Sequence, residues 1–192
     1  MLAVKFKNHK IILGSKSPRR SKLLARLDLD FDVVPLNVDE SYAEGLKRHE
    51  ITEYLCHKKR AAYQKWQPNH ILITSDTIVW QNERAYEKPK NAEDAKDMLK
   101  HLSDNTHEVI TSIGIFSPEK EKILTDVTEV SFGKLEPEEI AYYVEKYKPY
   151  DKAGAYGIQE WIGYTGIREI KGSYFNVMGL PVYKLYHALK EF

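Results

Sequence analysis

The feature that most constrains the fold is a regular exchange between short apolar runs and helical stretches along all 192 residues. Ile11 to Leu13 is an apolar triplet of strand length, and Pro18 to Leu27 follows it as a helix with Leu23, Leu24 and Leu27 on one side. Phe31 to Pro35 reads as a second strand. His49 to Trp66 reads as a long helix whose inner face takes Ile51, Tyr54, Leu55, Ala62 and Trp66. Ile71 to Thr74 is a strand ending at Ser75-Asp76. Ile78 to Trp80 continues after it, before a polar hairpin turn at Gln81-Asn82-Glu83. Ala92 to Leu102 reads as a helix with Asn91 as its N-cap and acids in its first turn. His107 to Phe116 and Lys122 to Phe132 predict a long hairpin around Pro118. Pro137 to Lys146 predicts a helix with proline in its first turn. Gly154 to Gly166 reads as a Gly- and aromatic-rich loop, and Pro181 to Lys190 as a closing helix. This exchange predicts an α/β or mixed α+β sheet with helices packed around it. No repeat, low-complexity tract or linker divides the chain, so the expectation is one domain over residues 1–192.

Composition narrows the partners. Lys and Arg number 29 against 28 Asp and Glu, so the chain lacks the basic excess that holds long nucleic acid nonspecifically, and a small ligand is expected instead. No apolar run approaches the ~20 residues that span a bilayer. The segment from Met1 to Lys10 carries lysines but no signal-peptide apolar region. With Cys56 as its single cysteine, the chain can form no internal disulfide. Cys56 lies in an apolar-periodic stretch, where a packed thiol is the expected role. The expectation is a soluble, cytoplasmic protein that binds neither membrane nor stable nucleic acid.

The densest local signal is Gly14-Ser15-Lys16-Ser17-Pro18-Arg19-Arg20. A strand runs into a helix that Ser17 can cap and Pro18 can start. Free backbone N–H groups and the positive helix end therefore meet two hydroxyls and two guanidiniums, a set of donors suited to a polyphosphate. The glycines and the Lys-Ser/Thr pair of a Walker A loop are missing. The same pattern also fits a capped surface helix with solvated arginines, and by itself it leaves both readings open.

Other features are weaker one at a time. Asp76, at the end of its strand, could hold a divalent cation or activate water, or be an ordinary turn aspartate. Thr77 adds a hydroxyl. Asp39-Glu40 offers two carboxylates that fit solvated loop charges equally well. Lys59 belongs to the run Lys58-Lys59-Arg60, ordinarily an exposed helix face. Lys88-Pro89 puts a cation on a constrained turn. His107 opens a strand with no second His or Cys at metal spacing, which favours a structural role. Asp151-Lys152-Ala153-Gly154-Ala155-Tyr156-Gly157-Ile158-Gln159 combines small residues, opposite charges and an amide able to read a base edge. Gly172 to Pro181 again combines tight turns with polar groups.

Taken in order, these segments resemble the Maf family, also called septum formation inhibitor proteins. The resemblance rests on Leu13-Gly14-Ser15-Lys16-Ser17-Pro18-Arg19-Arg20, Val38-Asp39-Glu40, Lys59, Thr74-Ser75-Asp76-Thr77, Glu87-Lys88-Pro89, Thr106 to Thr111 and Asp151 to Gln159. It covers the chain from about Ile11 to the last helix. It implies a mixed α/β fold with a long central sheet and two lobes with a cleft, similar to inosine triphosphate pyrophosphatases. It also implies hydrolysis of a nucleoside triphosphate to the monophosphate and pyrophosphate with Mg²⁺ or Mn²⁺, and commonly a homodimer.

The run Gly154-Ala155-Tyr156-Gly157-Ile158-Gln159 is similar to the branch acting on dTTP and UTP, whose distinguishing positions map to Arg19, Thr77 and Gln159. By the same resemblance Asp76 is the general base, and Glu40 with Asp76 holds the metal. Ser15, Arg19, Arg20, Lys59 and Lys88 neutralise the phosphates. The sequence departs from the family pattern at Gly14, Arg60 and Ser75, each in place of Ala, at Glu87 in place of Gly, and at Asn91 and Ser173 in place of Asp. None of these removes a group to which the resemblance gives chemistry. A phosphatase or nucleotidyltransferase on the same residues, or a nonenzymatic regulator of cell division, are the competing readings.

Overall fold

The computed structural model describes residues 1–192 as a seven-stranded mixed sheet with helices. In chain order the elements are α1 (Leu2–Lys5), β1 (Lys10–Leu13), α2 (Pro18–Ala25), β2 (Phe31–Val33), α3 (His49–Ala62), β3 (His70–Gln81) and β4 (Arg84–Tyr86). Then come α4 (Ala92–Leu102), β5 (Thr106–Phe116), β6 (Glu121–Phe132), α5 (Pro137–Tyr147), a 3₁₀ turn (Ala153–Ala155), α6 (Trp161–Gly166), β7 (Ile167–Lys171), α7 (Tyr174–Val177) and α8 (Val182–Glu191). The strand order is β2-β1-β3-β5-β6-β7, with β4 also paired to β3. β1 runs parallel to β2 and β3, while β4 on β3 and β7 on β6 are antiparallel. The mixed sheet flanked by helices is what the alternating pattern predicts.

The chain gathers into two compact units. The first comprises Met1–Asp76, Thr111–Asp126 and Gly179–Phe192; the second comprises Thr77–Ile110 and Val127–Met178. In the first, Leu23 and Leu24 of α2 and Ile51 and Leu55 of α3 are buried, and Ile12, Tyr63, Leu72 and Phe116 pack together. Gly14 follows β1 where a Cβ would stand 2.6 Å from Leu36 Cδ1, so a methyl group would have to push that side chain away.

In the second unit, Val79, Leu99, Leu102, Val109, Phe132, Tyr143 and Tyr156 belong to one buried cluster. Asn91 caps α4 by accepting from Asp94 N–H, as expected. The turn between β3 and β4 is formed by Asn82 and Glu83, both at positive φ (51° and 57°), which suits a tight two-residue hairpin. Asn176 is buried and donates to the Val109 carbonyl and to Thr128 Oγ1, both at 2.9 Å, securing the short α7.

Several expectations fail for identifiable reasons. β3 does not end at Asp76; it is one strand of twelve residues with Asp76 inside it. Aspartate is poor in strands, but tertiary context overrides that preference when the carboxylate finds a partner, here the Lys59 ammonium. α3 stops at Ala62, leaving Trp66 outside the helix, and Tyr54 is exposed; Thr52, Cys56 and Lys59 join Ile51 and Leu55 as its buried residues. The stretch from Gly154 to Gly166 is no open loop: it folds into the 3₁₀ turn and α6, and β7 follows it.

His107 has the structural role expected. It is buried, its Nε2 pairs with Tyr156 Oη at 2.8 Å, and its ring stacks on Phe132. Burial pushes its pKa down from 6.5 to about 3. Between those values the unfolded chain binds a proton that the folded chain refuses, so stability falls as pH drops below 6.5. Urea midpoints between pH 4 and 7 should carry this loss, at most about 1.4 kcal/mol per pH unit from this residue. His107→Gln should flatten the acid limb; parallel curves for variant and parent would rule the contribution out.

Candidate active site

The first unit assembles most of the charged residues that the sequence singles out. β1 leads into a turn where Ser15 is buried and accepts the Ser17 N–H at 3.1 Å. Ser17 in turn caps α2 by accepting the Arg20 N–H, and Pro18 opens the helix. Arg19 and Arg20 therefore leave the first turn of α2. Arg20 Nε donates to the Gly179 carbonyl at 2.8 Å, and Ser75 Oγ donates to the same oxygen at 3.3 Å. That bond satisfies the buried Ser75 hydroxyl. Burial draws the pKa of Arg20 below its usual value, opposed foremost by the Asp76 carboxylate and more weakly by Glu40; the nearby Arg19 lowers it further.

Lys59 is the centre of the cluster. It is only 5% exposed, although its neighbours in sequence are cationic too. Its Nζ donates to Asp76 Oδ1 at 2.5 Å and to the Ser75 carbonyl at 3.1 Å, and lies 3.5 Å from Glu40 Oε1. Successive helix residues turn by about 100°, so one run of three cations serves three surroundings. Lys58 reaches the Ser41 carbonyl at 2.8 Å and Asp39 at 3.8 Å, holding the acidic segment beside α3. Arg60 lies over the rings of Trp66 and Phe116. The exposed-face reading of the run is therefore wrong for Lys59, and the turn-aspartate reading is wrong for Asp76, which is 8% exposed.

Two carboxylates, from Glu40 and Asp76, thus converge on one ammonium. Hard oxygen donors in this number suit Mg²⁺ or Mn²⁺, which take one or two carboxylates and complete their shells with water and phosphate oxygens. No group of three or more His, Cys, Asp or Glu side chains is gathered as a metal cage. Cys56 is fully buried with its pKa pushed up to about 11, first by burial and then by Asp76, so it is no nucleophile.

Thr77, Lys88 and Gln159 lie in the second unit. Thr77 is partly exposed, and Lys88 and Gln159 are exposed. The Gly154 N–H donates to the Glu87 carbonyl at 3.2 Å, tying the 3₁₀ turn to the segment that carries Lys88. Glu87 is itself exposed. Sequence reasoning missed two things. One is Gly179, whose carbonyl anchors Arg20; its only signal was a place in the Gly-rich run 172–181. The other is the burial of Lys152, which a position next to Asp151 does not betray.

Lys59→Met should test the cluster. It would leave the Asp76 carboxylate buried without its ammonium, a defect worth about 3–5 kcal/mol in a urea melt. Asp76→Asn should cost less, because Lys59 retains the Ser75 carbonyl and Glu40. Equal, small losses in both variants would mean the pair is solvated.

The chain is similar to known proteins along nearly its whole length. The family model described as "Maf-like protein" matches residues 10–192. A protein of Flavobacterium johnsoniae named dTTP/UTP pyrophosphatase is 52% identical over 190 residues, covering 98% of each chain. Its namesake in Flavobacterium psychrophilum is 51% identical, covering 97% of this chain and 96% of that one. One from Bacteroides fragilis is 49% identical, covering 95% and 96%. Among solved structures, the Ham1 protein of Staphylococcus aureus aligns at TM-score 0.46 and 16% identity over 64% of this chain and 71% of that one.

Proposed function

The chain belongs to the Maf-like protein family, and from that premise we propose that it hydrolyses nucleoside triphosphates, dTTP and UTP foremost, to the monophosphate and pyrophosphate. The observation that carries the reading is the buried Lys59 bound to Asp76 and Glu40, in the same unit as the Ser17-capped turn with Arg19 and Arg20. The names of relatives about half identical along nearly the whole chain support the same substrates.

In this reading Asp76 takes a proton from a water whose oxygen forms the new bond to the α-phosphorus. The bond from that phosphorus to the bridging oxygen breaks, and pyrophosphate leaves with the electron pair. Lys59 fixes the carboxylate through Oδ1, leaving Oδ2 as the oxygen we assign to the water. Ser15 and the α2 N-terminus donate to phosphate oxygens, and Arg19, Arg20, Lys59 and Lys88 neutralise charge that builds on them. Glu40 and Asp76 would hold Mg²⁺ or Mn²⁺, which would supply further neutralisation. Arg19, Thr77 and Gln159 are assigned to the choice of a pyrimidine nucleotide.

Such substrates are cytoplasmic, and a lone buried thiol suits a reducing compartment. No helix is long and apolar enough to cross a membrane. We also propose a homodimer: Tyr164 and Tyr183 are 80% and 73% exposed and available to a second copy. Light scattering at micromolar concentration should give twice the chain mass, and a mass of one chain would remove the dimer.

The central test is pyrophosphate release from dTTP, UTP, CTP, ATP, GTP and 7-methyl-GTP with Mg²⁺ or Mn²⁺. Release from dTTP and UTP should stop with EDTA and fall at least about a hundredfold in Asp76→Asn, some 2.7 kcal/mol of barrier. Orthophosphate as the product would make the protein a phosphatase. Near-normal turnover in a folded Asp76→Asn would remove the base assignment, and no release from any nucleotide would favour a binding protein.

A further inference from the structure

The second unit holds a buried polar network that the reaction above does not use. Lys152 is buried, and its Nζ lies 3.1 Å from Glu160 Oε1 and 2.7 Å from Asp151 Oδ1. Tyr143 of α5 is fully buried; its hydroxyl donates to Glu160 Oε2 and accepts the Gly157 N–H at 3.0 Å. Burial, and then the bond to Glu160, push the pKa of this phenol up, so it stays a donor.

These bonds close the segment into a ring. Lys152 and Glu160 join its two ends, and Tyr143 ties its middle to helix α5. Glu160 N–H also returns to the Gly157 carbonyl at 2.9 Å. Gly157 lies directly under the network: a Cβ there would stand 2.8 Å from Glu160 Cδ and 3.1 Å from Lys152 Cε. Gln159 is the residue before Glu160, and it is exposed while residues 154–158 are buried. A side chain projecting from a closed, anchored ring has fewer orientations to lose on binding than one on an open loop.

We propose that Glu160, held between Lys152 and Tyr143, is a positioning residue that sets the orientation of Gln159 and with it the preference for a pyrimidine nucleotide. The inference rests on the function proposed above, with Gln159 at the base. Neither Glu160 nor Tyr143 touches substrate in this account, so their loss acts on binding and selectivity rather than on the chemical step.

Steady-state kinetics on dTTP and GTP with Glu160→Gln, Glu160→Ala and Tyr143→Phe test it. In Glu160→Ala and Tyr143→Phe, KM for dTTP should rise about fivefold or more while kcat stays within about twofold. The kcat/KM ratio of dTTP to GTP should fall by a similar factor. Glu160→Gln, which keeps one acceptor oxygen for Lys152 and turns an amide N–H toward the Tyr143 oxygen, should recover part of the selectivity that Glu160→Ala loses. Tyr143→Phe deletes one oxygen and keeps the test open should Glu160→Ala lose its melting transition. Unchanged KM and selectivity in folded Tyr143→Phe, or a loss confined to kcat, overturns the positioning role alone. Wild-type protein inactive on every nucleotide overturns the underlying reading and this inference with it.

Discussion

The ammonium of Lys59 sits where only 5% of the residue meets solvent, and a charge there must be met by charge and by hydrogen-bond acceptors. The Asp76 carboxylate and the Ser75 carbonyl meet it directly, and Glu40 lies close by. Each of these constrains a different part of the first unit. β3 must run unbroken through Ser75 and Asp76, α3 must stand with its last turn against that strand, and the acidic segment must lie beside α3. The Lys58 bond to the Ser41 carbonyl helps to meet the last demand.

Arg20 extends the same arrangement. Its guanidinium is drawn toward the Gly179 carbonyl, which Ser75 also uses, so the turn after β1, the middle of β3 and the start of the last segment share one acceptor. Cations held in place beforehand do not need to reorganise when an anionic substrate arrives, and this is the usual source of electrostatic catalysis. It also explains how a chain with 29 basic and 28 acidic side chains can serve a polyphosphate: the positive groups are concentrated rather than numerous.

The second unit solves a different problem. The segment from Lys152 to Glu160 is rich in small residues and could move freely, yet it is tied at several points. Gly154 sits at φ 68°, where a Cβ would come within 2.8 Å of Val79, and its N–H is bound to Glu87. Tyr156 is packed against His107 and Phe132. Lys152, Glu160 and Tyr143 close the remainder. An exposed amide at Gln159 is therefore presented from a fixed backbone.

Much of this protein was decided by local sequence. The caps at Ser17 and Asn91 and the start of α5 at Pro137 follow from near-neighbour chemistry and are present as read, while the hairpin turn and the apolar strands are present with shifted bounds. The order of the motifs along the chain carries the family resemblance by itself. Tertiary structure decided the rest. Helical spacing places Lys59, unlike Lys58 and Arg60, on the stripe of Ile51, Leu55 and Cys56, but the groups that meet its ammonium stand on β3 and the acidic segment. Asp76 ends a strand by its own propensity, but it lies within the twelve residues of β3, where an ammonium brought from α3 meets its carboxylate. The ring through Lys152, Tyr143 and Glu160 was illegible for the same reason: its members meet only after α5 and the turn have folded, and sequence spacing carries no record of a contact made through space.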